Sequence, residues 1–176
     1  MIRIILPIAA LGIALVLAFA AAKPDTFRVE RTASINAPAD RLYPLINDLH
    51  QFNTWNPFEK GDPAARGEYR GPGAGPGAAY DFHGGKSGKG SISIVNAAPP
   101  TSVTMKLDMV EPMEGHNVVE FTIAPRGAAT EVTWAMHGPR PFVSKLIGVF
   151  LNMDRMIGSQ FEAGLASLKA KAELPR

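Results

Sequence analysis

Hydrophobic and polar positions fall along this chain in three patterns. The first is an unbroken apolar run from Ile4 to Ala22 without a charged residue. The second is alternation. Phe27, Val29, Ala33 and Ile35 share one parity while Arg28, Glu30, Thr32 and Ser34 take the other, the period of a strand with one covered face. The same period recurs from Ala78 to His83, where Tyr80 and Phe82 share a face, and at Ile92 and Ile94. It returns at Val103, Met105, Leu107 and Met109, at Val119, Phe121 and Ile123, and at Val132, Trp134 and Met136. Their partners, among them Thr104, Lys106, Asp108, Glu120, Glu131 and Thr133, are polar. One face of the sheet therefore meets a core or cavity and the other meets water, the mark of an antiparallel meander and not of a doubly covered parallel sheet. The third pattern has helical spacing. It appears at Leu42, Leu45, Ile46 and Leu49, and again at Phe142, Leu146, Ile147, Phe150, Met153, Ile157, Phe161, Leu165 and Leu168.

Punctuation sets the boundaries. Asn36 is the N-cap candidate ahead of Pro38, a residue suited to a first helical turn. Pro44 removes a backbone hydrogen bond, which predicts two short helices or one kinked helix from Pro38 to about Trp55. Glycines at 71, 73, 75 and 77, and at 84, 85, 88 and 90, mark hairpin loops, as do Pro99-Pro100 and Pro125 with Gly127. The last apolar stripe predicts one helix from about Phe142 to Ala172. It is longer than packing in so small a domain requires, and reads as the lid of a hollow.

Composition narrows the function classes. A chain of 176 residues, 46% hydrophobic, suits one core plus one extra apolar element. Basic and acidic residues nearly balance at 18 against 16, and no block of like charge occurs, so a nucleic-acid surface is not expected. The absence of cysteine removes disulfides, thiolate catalysis and Cys-based metal sites. The four histidines show no metal-ligand spacing, and no metal or other cofactor is expected. GGKSGKGS is not a phosphate loop: Tyr80 stands where the first glycine is required, and Gly88-Lys89 is followed by Gly90. The apolar run, at about 1.5 Å per helical residue, would cross most of a ~30 Å hydrocarbon layer. Residues 1–23 are thus expected to form a membrane anchor or a signal peptide, the latter because Ala18-Phe19-Ala20 and Ala20-Ala21-Ala22 offer small-x-small cleavage patterns. The chain is then membrane-anchored by a single N-terminal helix, or exported if the leader is cleaved, and residues 24–176 form the folded domain.

The order of strand, paired short helices, meander and long helix resembles the helix-grip fold. The phrases VERTASINAPADRLYPLINDLHQFNTWNPFEK, HNVVEFTIAP and TEVTWAMHGP are similar to the bacterial polyketide cyclase/dehydrase-like branch of the START-related (SRPBCC) superfamily. The resemblance covers about residues 26 to 172. It implies an α+β domain in which a curved antiparallel sheet of about six or seven strands wraps around a long C-terminal helix, with two short helices after the first strand. It also implies a cavity for a hydrophobic small molecule, with no fixed catalytic triad to carry over.

The residues then supply candidates. Inward parity and aromatic or Met character nominate Trp55, Phe58, Tyr80, Phe82, Met105, Asn117, Phe121, Trp134, Met136, Phe150 and Met153 as ligand-binding positions. Asn117 shares the parity of Val119 and Phe121 and is the best single polar contact. Arg31 falls on the apolar side of its strand, either as an edge residue that snorkels out or as a charged anchor in the cavity. His116 and His137 meet at one rim if their strands pair, where they would shuttle protons with Tyr80 or Glu120 positioning an enol oxygen. Their parity, however, is outward. Three readings follow. The preferred one is a module binding a lipid, polyketide or similar apolar molecule. The others are a cyclase or dehydratase, and a membrane-tethered protein-interaction module whose protein partner is unknown.

Overall fold

The computed structural model describes the backbone of residues 2–174 and the side-chain surroundings of residue 8 and residues 10–174. After helix α1 (Ile2–Ala21) the chain forms strand β1 (Thr26–Ile35), then three short helices, α2 (Ala39–Asn47), α3 (Leu49–Asn53) and α4 (Pro57–Lys60). Six strands follow: β2 (Arg66–Arg70), β3 (Ala79–Gly84), β4 (Gly88–Ala98), β5 (Ser102–Glu111), β6 (Gly115–Arg126) and β7 (Ala129–Pro139). Helices α5 (Phe142–Phe150) and α6 (Met153–Ala172) close the chain. The seven strands form one antiparallel sheet in the order β1-β7-β6-β5-β4-β3-β2. This is the helix-grip architecture: the meander of β2 to β7 is nearest-neighbour throughout, and β1 joins its far edge beside β7.

Period-two alternation decides which face is covered. Val103, Met105, Phe121, Ile123 and Val132 point inward and are essentially buried, against Leu42, Ile46, Phe52 and Trp55 of the short helices and Phe161, Leu165 and Leu168 of α6. Trp134 stacks on Phe161 with ring centroids 4.3 Å apart. Trp55 Nε1 donates to Leu45 O (2.8 Å), which satisfies its polar atom inside the core.

Several local expectations change. Pro44 lies inside α2, and the break comes at Asp48, whose extended backbone ends α2 while its Oδ1 accepts from His50 N (2.8 Å) to start α3. Pro38, not Asn36, is the N-cap residue of α2, and Asn36 instead donates its N–H to Glu173 Oε1 (2.7 Å). Two short helices, α2 and α3, occupy the span from Pro38 to Trp55 as expected, and the four-residue α4 follows beyond it. The single C-terminal helix is in fact two. Leu151 is extended and Asn152 caps α6 by accepting from Arg155 N (2.9 Å), so a turn interrupts the apolar stripe. β2 has no alternation and every residue in it is exposed, as befits an edge strand with no covered face.

The expectation that residues 1–23 anchor the chain in a membrane is corrected. Among the described residues no helix is long and apolar enough to cross a membrane. The end of α1 packs instead on α5. Ala20 is fully buried, Lys23 Nζ donates to Gly148 O (2.6 Å), and Lys145 Nζ donates to Asp25 Oδ1 (2.5 Å).

Candidate functional site

Strand register lays the inward residues out in rows. Tyr80 pairs with Ile92, Ile92 with Leu107 and Leu107 with Asn117, so one row crosses β3, β4, β5 and β6. The row toward the β3–β4 turn holds Phe82, Gly90 and Met109. The row in the opposite direction holds Ile94, Met105, Val119 and Met136, and beyond it lie Val103, Phe121 and Trp134. Where α2, α3 and α6 cover the sheet, the inward residues are packed. Under α4 and the β3–β4 turn they are not, and a partly enclosed cavity of about 310 Å³ remains. That is the lower end of the range for small-molecule pockets.

The wall on the sheet side is Tyr80, Phe82, Ile92, Leu107, Met109, Asn117, Val119, Trp134 and Met136. The facing wall comes from Phe52 and Asn53 of α3, Asn56, Phe58 and Glu59 at α4, and Ile157 and Phe161 of α6. Lys86 and Ser87 from the β3–β4 turn and Pro112 from the β5–β6 loop complete it. Two broader depressions, one at Lys23, Arg140 and the start of α6, the other on the outer face of β2 to β5, are more open.

Few polar groups face this apolar space, and each has a distinct condition. Tyr80 Oη donates to Glu59 Oε1 (2.7 Å). Burial, seconded by that carboxylate, pushes the phenol well above its ordinary value, so it keeps its proton. The ring rests over β2 at Gly67, where any Cβ would overlap it. Asn117 is half-buried, with its Oδ1 over Gly138 of β7, and takes part in no side-chain hydrogen bond among the described residues. The Trp134 indole N–H is covered and has no acceptor among the described residues.

Asp62 fixes the turn over the cavity. The residue is buried; Oδ2 accepts from Lys86 N (2.7 Å) and Ser87 N (2.9 Å), and Oδ1 accepts from Ala64 N (3.0 Å). These backbone donors hold its carboxyl down at about 2. Ser87 Oγ in turn donates to Phe58 O (2.9 Å), joining the turn to α4. Neither Asp62 nor Glu59 was singled out by the sequence, because both lie in short irregular segments without a period.

Of the nominated ligand-binding residues, Phe58, Tyr80, Phe82, Asn117, Trp134 and Met136 line the cavity. Trp55, Met105 and Phe121 do not: they are buried in the packed part of the interior. Phe150 is exposed on α5, and Met153 borders the outer depression at the start of α6, because the helix break turns both away. Arg31 is also outside the cavity. It donates to Asp154 Oδ2 (3.0 Å) and Glu162 Oε1 (2.7 Å) and so ties edge strand β1 to α6, its guanidinium shifted further up by these two carboxylates.

The expected histidine pair does not form. His116 Nδ1 lies 2.6 Å from Asp108 Oδ1, and His137 Nε2 lies 3.4 Å from Glu120 Oε2, both outside the cavity lining. Register sets Val118, not His116, opposite His137. Glu120 also accepts from Arg28 (3.1 Å), so it positions nothing inside the cavity.

Comparison with known proteins agrees with this architecture. The family model described as polyketide cyclase/dehydrase and lipid transport matches residues 26–173. Among curated proteins none matches the chain significantly in sequence. Solved structures share the fold at low identity. Protein CV1439 from Chromobacterium violaceum aligns with TM-score 0.60 and 16% identity over 86% of this chain and 100% of its own. Major latex-like protein 151 from Panax ginseng aligns with TM-score 0.59 and 12% identity over 86% of this chain and 100% of its own. The di-domain ARO/CYC protein BexL of the BE-7585A biosynthetic pathway aligns with TM-score 0.62 and 16% identity, over 91% of this chain and 54% of BexL.

Proposed function

We propose that this chain, which belongs to the polyketide cyclase/dehydrase and lipid transport family, uses the cavity beneath α4 to bind one small hydrophobic molecule. The observation that carries this reading is the unfilled space itself, about 310 Å³ lined mainly by aromatic and aliphatic side chains. A packed domain leaves few voids larger than a water molecule, so a hollow of this size with a handful of convergent polar groups is best explained by an occupant. The reading also weighs against a pure interaction module, for which the interior would be filled.

Native mass spectrometry of the full chain, purified under mild conditions and then extracted with organic solvent, tests it. A stoichiometric apolar adduct is the expected result. A bare mass, with no uptake of offered aromatic or lipid probes, would overturn it.

One observation favours catalysis as a second reading. The Tyr80–Glu59 pair sets a phenol that keeps its proton beside a carboxylate, at the wall of an apolar space. In an aldol-type cyclisation followed by loss of water, such a pair would give and take a proton at a carbonyl or enol oxygen. Turnover of a polyketide-like substrate that drops by about 10²-fold or more in Tyr80→Phe, while ligand affinity holds within a few-fold, would support this reading. Equal turnover by the variant would remove it.

A further inference from the structure

The row Tyr80, Ile92, Leu107, Asn117 is polar at both ends and apolar between. Its ends lie three strands apart, so at ~4.8 Å per strand their backbones are separated by roughly 14 Å along the sheet, and their polar atoms lean outward, Tyr80 Oη over Gly67 of β2 and Asn117 Oδ1 over Gly138 of β7. The two ends differ in what they offer. At the β3 end the Tyr80 proton is already committed to Glu59 Oε1, which leaves Glu59 Oε2 and the phenol lone pairs as acceptors. Against Tyr80 and Glu59 only a donor is satisfied; a carbonyl or ether oxygen would face lone pairs, a carboxylate would face like charge, and the Asn53 and Asn56 amides of the same lining already donate to Tyr69 Oη (3.0 Å) and to Asn53 Oδ1 (3.4 Å). At the β6 end the Asn117 amide has both a donor and an acceptor to give, and no protein partner among the described residues takes either. Between these ends Ile92 and Leu107 present only carbon, with Phe161 and Ile157 of α6 opposite.

We propose that the ligand lies across the strands along this row, as an elongated neutral molecule with an apolar body, a hydroxyl at one end donating to Glu59, and a second oxygen function at the other meeting the Asn117 amide. This rests on the binding role proposed above and specifies the class of molecule: an apolar diol, a diphenol or a hydroxyketone, in preference to a fatty acid or a plain hydrocarbon. Lys86 does not reverse that choice, because its side chain is exposed at the mouth and only its backbone N–H is fixed, by Asp62.

Three probes sharing one apolar body separate the contributions: biphenyl, its para-hydroxyl derivative and its para,para′-dihydroxyl derivative. A fourth, the para-carboxylate, reports on charge. Affinities for the full chain are read by quenching of tryptophan fluorescence, since Trp134 lines the cavity, and checked calorimetrically. A net hydrogen bond is worth about 0.5–1.5 kcal/mol, so each hydroxyl should tighten binding about threefold to tenfold, with the carboxylate weakest. Asn117→Leu and Glu59→Met should each bring the dihydroxyl probe to the affinity of the monohydroxyl one, and the double variant should bring it to that of biphenyl. Biphenyl measured on every variant reports whether the cavity survives the substitution. A dihydroxyl probe no tighter than the monohydroxyl one in the native chain, or a carboxylate tighter than either, overturns the inference while biphenyl binding still upholds the cavity. If none of the probes binds, the binding role falls as well.

Discussion

Filling the cavity from its sheet wall distinguishes a true hollow from a packed interior. Leu107→Phe is the informative change. Leu107 is half-buried in the middle of the inward row, between Ile92 and Asn117, and lines the space directly. Phenylalanine adds about three carbons. At about 30 Å³ each, taking a water-sized volume as the guide, they occupy under a third of the 310 Å³ available. If they enter open apolar space, each contributes at most about 0.8 kcal/mol, so stability should stay level or rise by up to about 2 kcal/mol. If the interior were packed, the same atoms would force side chains off their rotamers and cost about 1–3 kcal/mol. The two cases differ in sign. Urea unfolding followed by tryptophan fluorescence resolves them, provided the m-value is unchanged. The same variant should bind biphenyl at least about tenfold more weakly, because the added ring takes the ligand's place. A loss of stability above 1 kcal/mol with unchanged probe affinity would refute the assignment of this space as the binding cavity.

Gly164→Ala tests the contact between α6 and the floor of the cavity. Helix propensity alone predicts a gain of about 1 kcal/mol. A Cβ there would stand 2.6 Å from Trp134 Cζ3 and 2.9 Å from Pro57 Cδ, so thermal unfolding should instead show a loss of about 1–3 kcal/mol. Phe161→Ala removes the ring stacked on Trp134 and should cost about 3–5 kcal/mol in urea unfolding; a cost below 1 kcal/mol would contradict its place in the core. Asp62→Asn probes pH. The carboxyl titrates at about 2 in the folded chain against an ordinary 3.8, so its contribution is whole above 3.8 and fades as pH falls toward 2. The native chain should lose stability over that window and the variant should lose less, starting from a lower value at neutral pH; parallel curves would show that the turn does not depend on the charge.

Strand parity made the sheet legible. Alternation at Val103–Met109, Val119–Ile123 and Val132–Met136 gives both the covered face and the nearest-neighbour order of β5, β6 and β7 that register confirms. β2 escaped because an edge strand exposed on every residue has no period to read. The division of the last helix escaped for the opposite reason: Phe150 and Met153 continue the apolar spacing across Leu151 and Asn152, which hides the break that the extended Leu151 and the Asn152 cap make in the structure. For the site, parity tells which way a residue faces but not how far along the strand the packing ends. Met105, Leu107 and Met109 share one face, yet Met105 is fully buried while Leu107 and Met109 meet the cavity. That difference is set by the short helices above, which belong to another part of the chain. Glu59 was invisible for the same reason, since a helix of four residues has no pattern and its role exists only through Tyr80.

The division between packed and hollow halves of the interior has a consequence for how such a chain can change. Residues that hold the domain together, such as Phe121, Leu165 and Leu168, sit where α2, α3 and α6 cover the sheet. The cavity roof is made by α4 and the β3–β4 turn, held by Asp62 and Ser87 through backbone contacts that do not depend on the identity of the turn's other side chains. Substitutions or insertions in the roof therefore alter what fits beneath it at small cost to folding, whereas the packed half tolerates little. The size and outline of the hollow can thus change while the scaffold beneath it is kept.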